Sequence, residues 1–173
     1  MRMLKYLFAA ALIPLGGCFL TTGNVLPNVG VKADLQSGIY RCIPANGQPY
    51  SIGIAWLQIG DRYQYVTAGG GGVAFYALHP VAGTTYLATH QGDKGPTAAN
   101  VAILRVHADS IEYVLPPRSL VESLAPRHGV RVEAKESYYT LTGSAYDQLA
   151  LMRDVATQLR FDGANTRCAR VYS

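Results

Sequence analysis

Charge is thin in this sequence, and the residues that usually organise chemistry are scattered. Only 15% of the 173 positions are charged, 15 basic against 11 acidic, and there are four histidines. So sparse a charge forms no basic stripe, which argues against a dedicated nucleic-acid binder. No two of His79, His90, His107 and His128 share a metal-ligand spacing such as H-E-x-x-H. The three cysteines, at 18, 42 and 168, lie far apart, with no C-x-x-C and no clustered metal spacing. A G-x-S-x-G elbow is missing too, and Ser144 in Gly143-Ser144-Ala145 reads as a helix cap. Gly69 to Gly72 lack the Gly-Lys-Ser/Thr ending of a phosphate loop and precede a strand, so they read as a hairpin connection. The pairs Asp109 with Glu112 and Glu133 with Glu136 fall at turns or strand ends. Any two carboxylates can meet in a fold, so an acid–base pair stays open at this level. The expectation is a protein that is not an enzyme and carries no metal and no cofactor.

What is present begins with an address. Arg2 and Lys5 precede a short apolar run, Tyr6 to Leu15, followed by Gly16, Gly17 and Cys18. The run is too short to span a bilayer, which takes about 20 residues. A charged start, an apolar middle and small residues before a cut form a secretory signal pattern. Pro14 and the two cations argue against a buried helix there. An ordinary signal peptide with an incidental cysteine is the bland alternative. Leu15-Gly16-Gly17-Cys18 resembles a bacterial lipobox. The resemblance implies signal residues 1–17, a diacylglyceryl group on the Cys18 sulfur, cleavage after Gly17, and palmitate-type acylation of the new amino terminus. Several acyl chains on one residue give stable membrane anchoring. Phe19 stands where lipoproteins kept at the inner membrane usually carry Asp. That implies an outer-membrane lipoprotein facing the periplasm, with the inner membrane or cell surface as alternatives. Loss of Arg2 and Lys5 leaves 13 basic against 11 acidic residues.

Cys42 and Cys168 remain. In an exported protein an even remainder is a disulfide candidate, here joining the start of the folded part to its end. Residues 18–36, with Gly23, Asn24, Pro27, Asn28 and Gly30 and no periodic pattern, read as the lipidated N-terminus and a flexible tether. The remaining 37–173 suit a single β-rich domain, and 49% hydrophobic positions supply a core.

Period-two alternation and turn residues dominate that domain. Strands are expected over 38–43, 50–59, 62–67, 73–79, 84–90, 100–107 and 111–115, with weaker ones over 130–134 and 137–141. Pro80-Val81-Ala82-Gly83 reads as a turn and 91–96 as a loop. A short helix is expected over 119–125, ended by Pro126, and a long one over 144–160. Tyr146, Leu149, Met152 or Arg153, Ala156 and Leu159 mark an apolar stripe on the long helix. A final strand over 166–172 carries Cys168. The fold class is therefore mainly β (α+β): an antiparallel curved sheet or small barrel with one long C-terminal helix followed by a final strand. Eight or so strands, a helix and a strand, with Ser37-Gly38-Ile39-Tyr40 in place of a G-x-W start, is similar to lipocalins. That likeness implies a small-ligand-binding barrel.

Two features suggest binding. Arg105 and His107 share one strand face, which suits an anion or simply an exposed sheet. Twelve tyrosines are the least ordinary part of the composition; Tyr63, Tyr65, Tyr76, Tyr86 and Tyr113 fall on neighbouring strands. Grouped and exposed they would stack on a glycan or anchor a protein. Half-buried, they are what sheets ordinarily use. The expected role is a membrane-anchored, non-enzymatic envelope lipoprotein that binds an envelope protein or cell-wall component or serves a structural part. The alternative is the lipocalin-like barrel.

Overall fold

The structure is a computed structural model that describes residues 18–22, 29–69, 72–91, 98–134 and 138–172. Its strands are β1 (Cys18–Thr22), β2 (Gly38–Pro44), β3 (Tyr50–Ile59), β4 (Arg62–Gly69), β5 (Gly72–Ala82), β6 (Thr85–Gln91), β7 (Ala98–His107), β8 (Ser110–Val114), β9 (Arg131–Ala134), β10 (Tyr138–Thr142) and β11 (Thr166–Arg170). Helix α1 (Arg118–Leu124) runs into a 3-10 turn (Ala125–His128), and α2 (Ala145–Gln158) precedes β11.

Strands β2 to β8 form an up-and-down meander, and β11 inserts between β8 and β2 to close it. The result is a closed antiparallel barrel of eight strands. Followed once round the ring, the pairing register returns to β2 about 12 residues from its start, the stagger of strongly tilted strands. Closure removes the exposed sheet edges that invite aggregation. Beside β8, the first half of β7 also pairs with β1, and β1 leads to β10 and β9 as a short branch.

Alternation along the strands builds two cores. Inward side chains Tyr40, Cys42, Ile54, Tyr65, Leu78, Ala88, Val106, Ile111 and Cys168 fill the barrel. Outward Leu87 and Ile103 are covered by Leu151, Met152 and Val155 of α2, with Val121 and Leu124 of α1 and Phe161. The buried face of α2 is Gln148, Leu151, Met152, Val155 and Ala156, whereas Tyr146 is 79% exposed. The buried face shares only Met152 and Ala156 with the expected stripe of Tyr146, Leu149, Met152 or Arg153, Ala156 and Leu159, because the face that meets β6 is turned toward Leu151 and Val155. Ser144 caps the helix as expected, its Oγ accepting from the Asp147 N–H at 3.1 Å.

Three further readings change. Strand β5 runs through Pro80 to Ala82, with a register shift there, so the turn is Gly83-Thr84. The expected loop over 91–96 has Gln91 at the end of β6, and its remainder lies outside the described residues. The stretch expected to be a tether over 18–36 contains β1, and from Gly30 to Gln36 it lies against the barrel with Ala33 and Leu35 buried. Its contacts run through backbone groups, so no side-chain period marks them.

Cys42 and Cys168, 126 positions apart, face each other across the β2–β11 pair and form a disulfide. The bond crosses the seam where the first and last barrel strands meet.

Candidate functional site

One mouth of the barrel is strapped shut. Gly30 and Tyr63 exchange backbone hydrogen bonds at 2.9 and 3.1 Å, and the Val31 N–H donates to the Leu78 carbonyl at 2.9 Å. Further along, the Trp56 indole N–H donates to the Leu35 carbonyl at 2.8 Å, and the Tyr40 hydroxyl to the Gln36 carbonyl at 2.6 Å. The Gln36 N–H reaches the Ala108 carbonyl on the far side, at 2.8 Å. Residues 30–36 thus cross from β4 and β5 to the β7–β8 turn. Gly30 is required for this approach, because a Cβ there would stand 2.1 Å from the Leu78 carbonyl oxygen. A surface groove of 540 Å³ flanks the strap, lined by Lys32, Asp61, Arg62, Tyr63 and His79. Its charges are of both signs.

The other mouth is wetter. Ile52, Thr67, Tyr76, His90 and Tyr113 all sit at inward register positions yet are only half-buried. Tyr50, at the start of β3, is exposed. Beneath these positions lies a buried floor made by Tyr65, Ile54, Ala88, Ile111 and the disulfide.

The walls are aromatic. Trp56 packs edge-on against Tyr65 at 4.8 Å and Tyr63 at 6.3 Å, and Tyr76 stacks in a tilted way on His90 at 5.0 Å. The His90 Nδ1 lies 3.1 Å from the Phe75 carbonyl, so that nitrogen donates. Tyr65 is 3% exposed and its hydroxyl has no hydrogen-bond partner among the described residues. Burial, reinforced by Tyr40 and Tyr76, pushes its pKa far above the usual phenol value, so the group stays neutral. A buried hydroxyl left unbonded costs about 1–3 kcal/mol. Thr89 Oγ1, on the outward face of β6, is likewise buried and unbonded.

All five tyrosines singled out from the sequence, Tyr63, Tyr65, Tyr76, Tyr86 and Tyr113, occupy inward positions in adjacent strands. Tyr65, Tyr76, Tyr86 and Tyr113 line the inside of the barrel, Tyr63 borders the groove beside the strap, and the five form no exposed patch. Sequence reading missed Tyr40, Tyr50, Trp56 and His90 on the same face. The alternation of β2 and β3 carries that signal, but alternation does not say which face is inside. His90, expected to be solvated at a strand end, is half-buried against Tyr76.

The proposed Arg105 and His107 anion face is not available. Arg105 lies 4.0 Å over the Phe161 ring and 3.3 Å from Glu112, which also pairs with Arg167 at 3.3 Å. Of the carboxylate pairs, Glu112 is held by those arginines, Asp109 accepts from the Tyr172 hydroxyl, and Glu136 lies outside the described residues. Among the described residues there is no group of three or more His, Cys, Asp or Glu able to hold a metal. No helix among them is long and apolar enough to cross a membrane. No family model, curated protein or solved structure matches this chain.

Proposed function

We propose that this chain is a non-enzymatic bacterial envelope lipoprotein, held by lipid on Cys18 at the outer membrane, whose barrel takes a small ligand through its wet mouth. The anchor rests on Leu15-Gly16-Gly17-Cys18 and the charged, apolar leader before it. The binding role rests on one observation above the others: the unbonded Tyr65 hydroxyl at the floor of an aromatic-lined barrel. An eight-stranded barrel is wide enough either to be filled by its side chains or to hold one small ligand. Aromatic walls, a neutral phenol and no inward acid suit a compact, planar, mostly apolar molecule with one hydrogen-bonding group. Tyr65 would hold that group while Tyr76 and His90 cover the ring.

Trp56 is the sole tryptophan and touches Tyr65, so its fluorescence reports on the floor. The test is titration of the processed, unlipidated Cys18→Ser chain with N-phenyl-1-naphthylamine. Saturable quenching of Trp56, weakened about tenfold in Tyr65→Phe, is the expected result, a loss of one hydrogen bond to a buried site. A folded chain that shows no saturable quenching would sink the ligand role. Intact mass of the envelope-purified protein tests the anchor separately: an acylated Cys18 at the N-terminus is expected, and a free thiol there refutes it.

A further inference from the structure

The outward face of β2 to β5 is a wall of exposed apolar side chains. Ile39 is 55% and Val73 63% exposed, and Ile43, Leu57 and Phe75 are exposed with them. Register makes the wall continuous: Ile39, Gly53, Ala68 and Val73 form one cross-strand row, and Ala55, Val66 and Phe75 the next. Apolar residues exposed singly need no explanation, whereas a contiguous apolar sheet face marks an interaction surface. The ring is closed, so an incoming partner meets side chains here and no free strand edge.

Charge indicates what covers it. None of the 11 acidic residues of the chain lies in β2, β3, β4 or β5. Arg41, between Ile39 and Ile43, and Arg62, at the start of β4, are exposed and have no hydrogen-bond or ion-pair partner among the described residues. Three other arginines are matched from within: Arg105 and Arg167 by Glu112, and Arg118 by Glu122 at 2.7 Å. On the wall, Arg41 and Arg62 are unmatched cations among apolar side chains. The wall also lies across the barrel from β1, which begins at Cys18, because β1 pairs with β7 and β7 is four places round the eight-strand ring from β3.

We infer that the β2–β5 wall is the docking surface for a protein partner that presents apolar side chains flanked by carboxylates, which pair with Arg41 and Arg62. Its direction, away from the membrane, rests on the lipid anchor at Cys18; the apolar and charge match does not.

Photocrosslinking in intact cells tests this, with benzoylphenylalanine placed at Phe75 or Val73 and, as control, at the exposed Tyr146 of α2. The expected result is a heavier protein adduct from Phe75 and Val73 and none from Tyr146, with the crosslinked peptide carrying Asp or Glu beside apolar residues. Arg41→Glu with Arg62→Glu should lower the yield about tenfold, and Arg41→Lys with Arg62→Lys, which keeps the charge, should retain most of it. A phospholipid adduct, an adduct to a second copy of this chain, a partner peptide without carboxylates, or no adduct would each overturn the inference. Adducts that persist when intact mass shows no acyl group on Cys18 would support the wall and refute the anchor.

Discussion

Tyr65 carries the ligand reading, and its free energy has a definite sign. In the ligand-free protein its hydroxyl is desolvated without return, so removing it should help folding. Tyr65→Phe is expected to stabilise the free chain by about 1 kcal/mol, raising the thermal midpoint by roughly 2–4 °C. Calorimetry decides it: a lower midpoint would mean that the hydroxyl has a partner and the floor is already satisfied. Asp154 behaves in the opposite sense. Its carboxylate accepts from His128 Nε2 at 3.1 Å and from Gln158 at 2.7 Å, and those bonds hold its pKa below the ordinary carboxylate value. A carboxyl with a depressed folded pKa contributes stability above its unfolded pKa, about 3.9, and loses it as pH falls through the folded value. Asp154→Ala should therefore lower the midpoint at pH 7, and the gap between variant and parent should narrow as pH falls below the unfolded carboxyl value. A gap that stayed constant over that range would show that the charge of Asp154 plays no part.

Single elements show why some of this architecture can be read from sequence and some cannot. Strands β2, β3 and β4 advertise themselves through alternation and bounding turns, since one face of each must meet a core. Which face is inside follows from pairing partners far along the chain, so the inward gathering of Tyr65, Tyr76 and His90 was beyond local pattern. Helix α2 shows the ambiguity at its sharpest, because Tyr146 and Leu149 begin one stripe and Gln148 and Leu151 another. Gln148 looks polar, yet its side chain is buried and donates to the Gly143 carbonyl at 2.8 Å. The strap over 30–36 is invisible to periodicity, since it is fastened by main-chain bonds to β4, β5 and the β7–β8 turn. Its weak point is Gly30. Gly30→Ala should lift the strap from Leu78, shift Trp56 emission to the red as its bond to Leu35 loosens, and raise amide exchange across 30–36. An unchanged spectrum and unchanged exchange would mean that the strap is not fixed at that contact.

For the whole barrel, the decisive step is closure. Seven strands, β2 to β8, pair with sequence neighbours and form cheaply, but β11 must return from beyond two helices to reach β2. Cys42 and Cys168 fasten that pair, 126 positions apart. Joining so long a loop restricts the unfolded chain and is worth about 2–5 kcal/mol. Cys42→Ser with Cys168→Ser should therefore lower the thermal midpoint by roughly 4–20 °C, at the 2–4 °C per kcal/mol of a chain this size. The location of the damage separates a seam from a general brace. If the bond holds the seam, amide exchange in the paired variant should rise first in β2, β11 and the β8 edge, with β5 and β6 retaining their protection under α2. Exchange that rose equally in β5 and β6 would show a barrel that opens as one unit. The same seam forms part of the floor beneath Tyr65, so a variant opened at β2 and β11 should also lose saturable Trp56 quenching at temperatures where far-ultraviolet circular dichroism still reports intact strands.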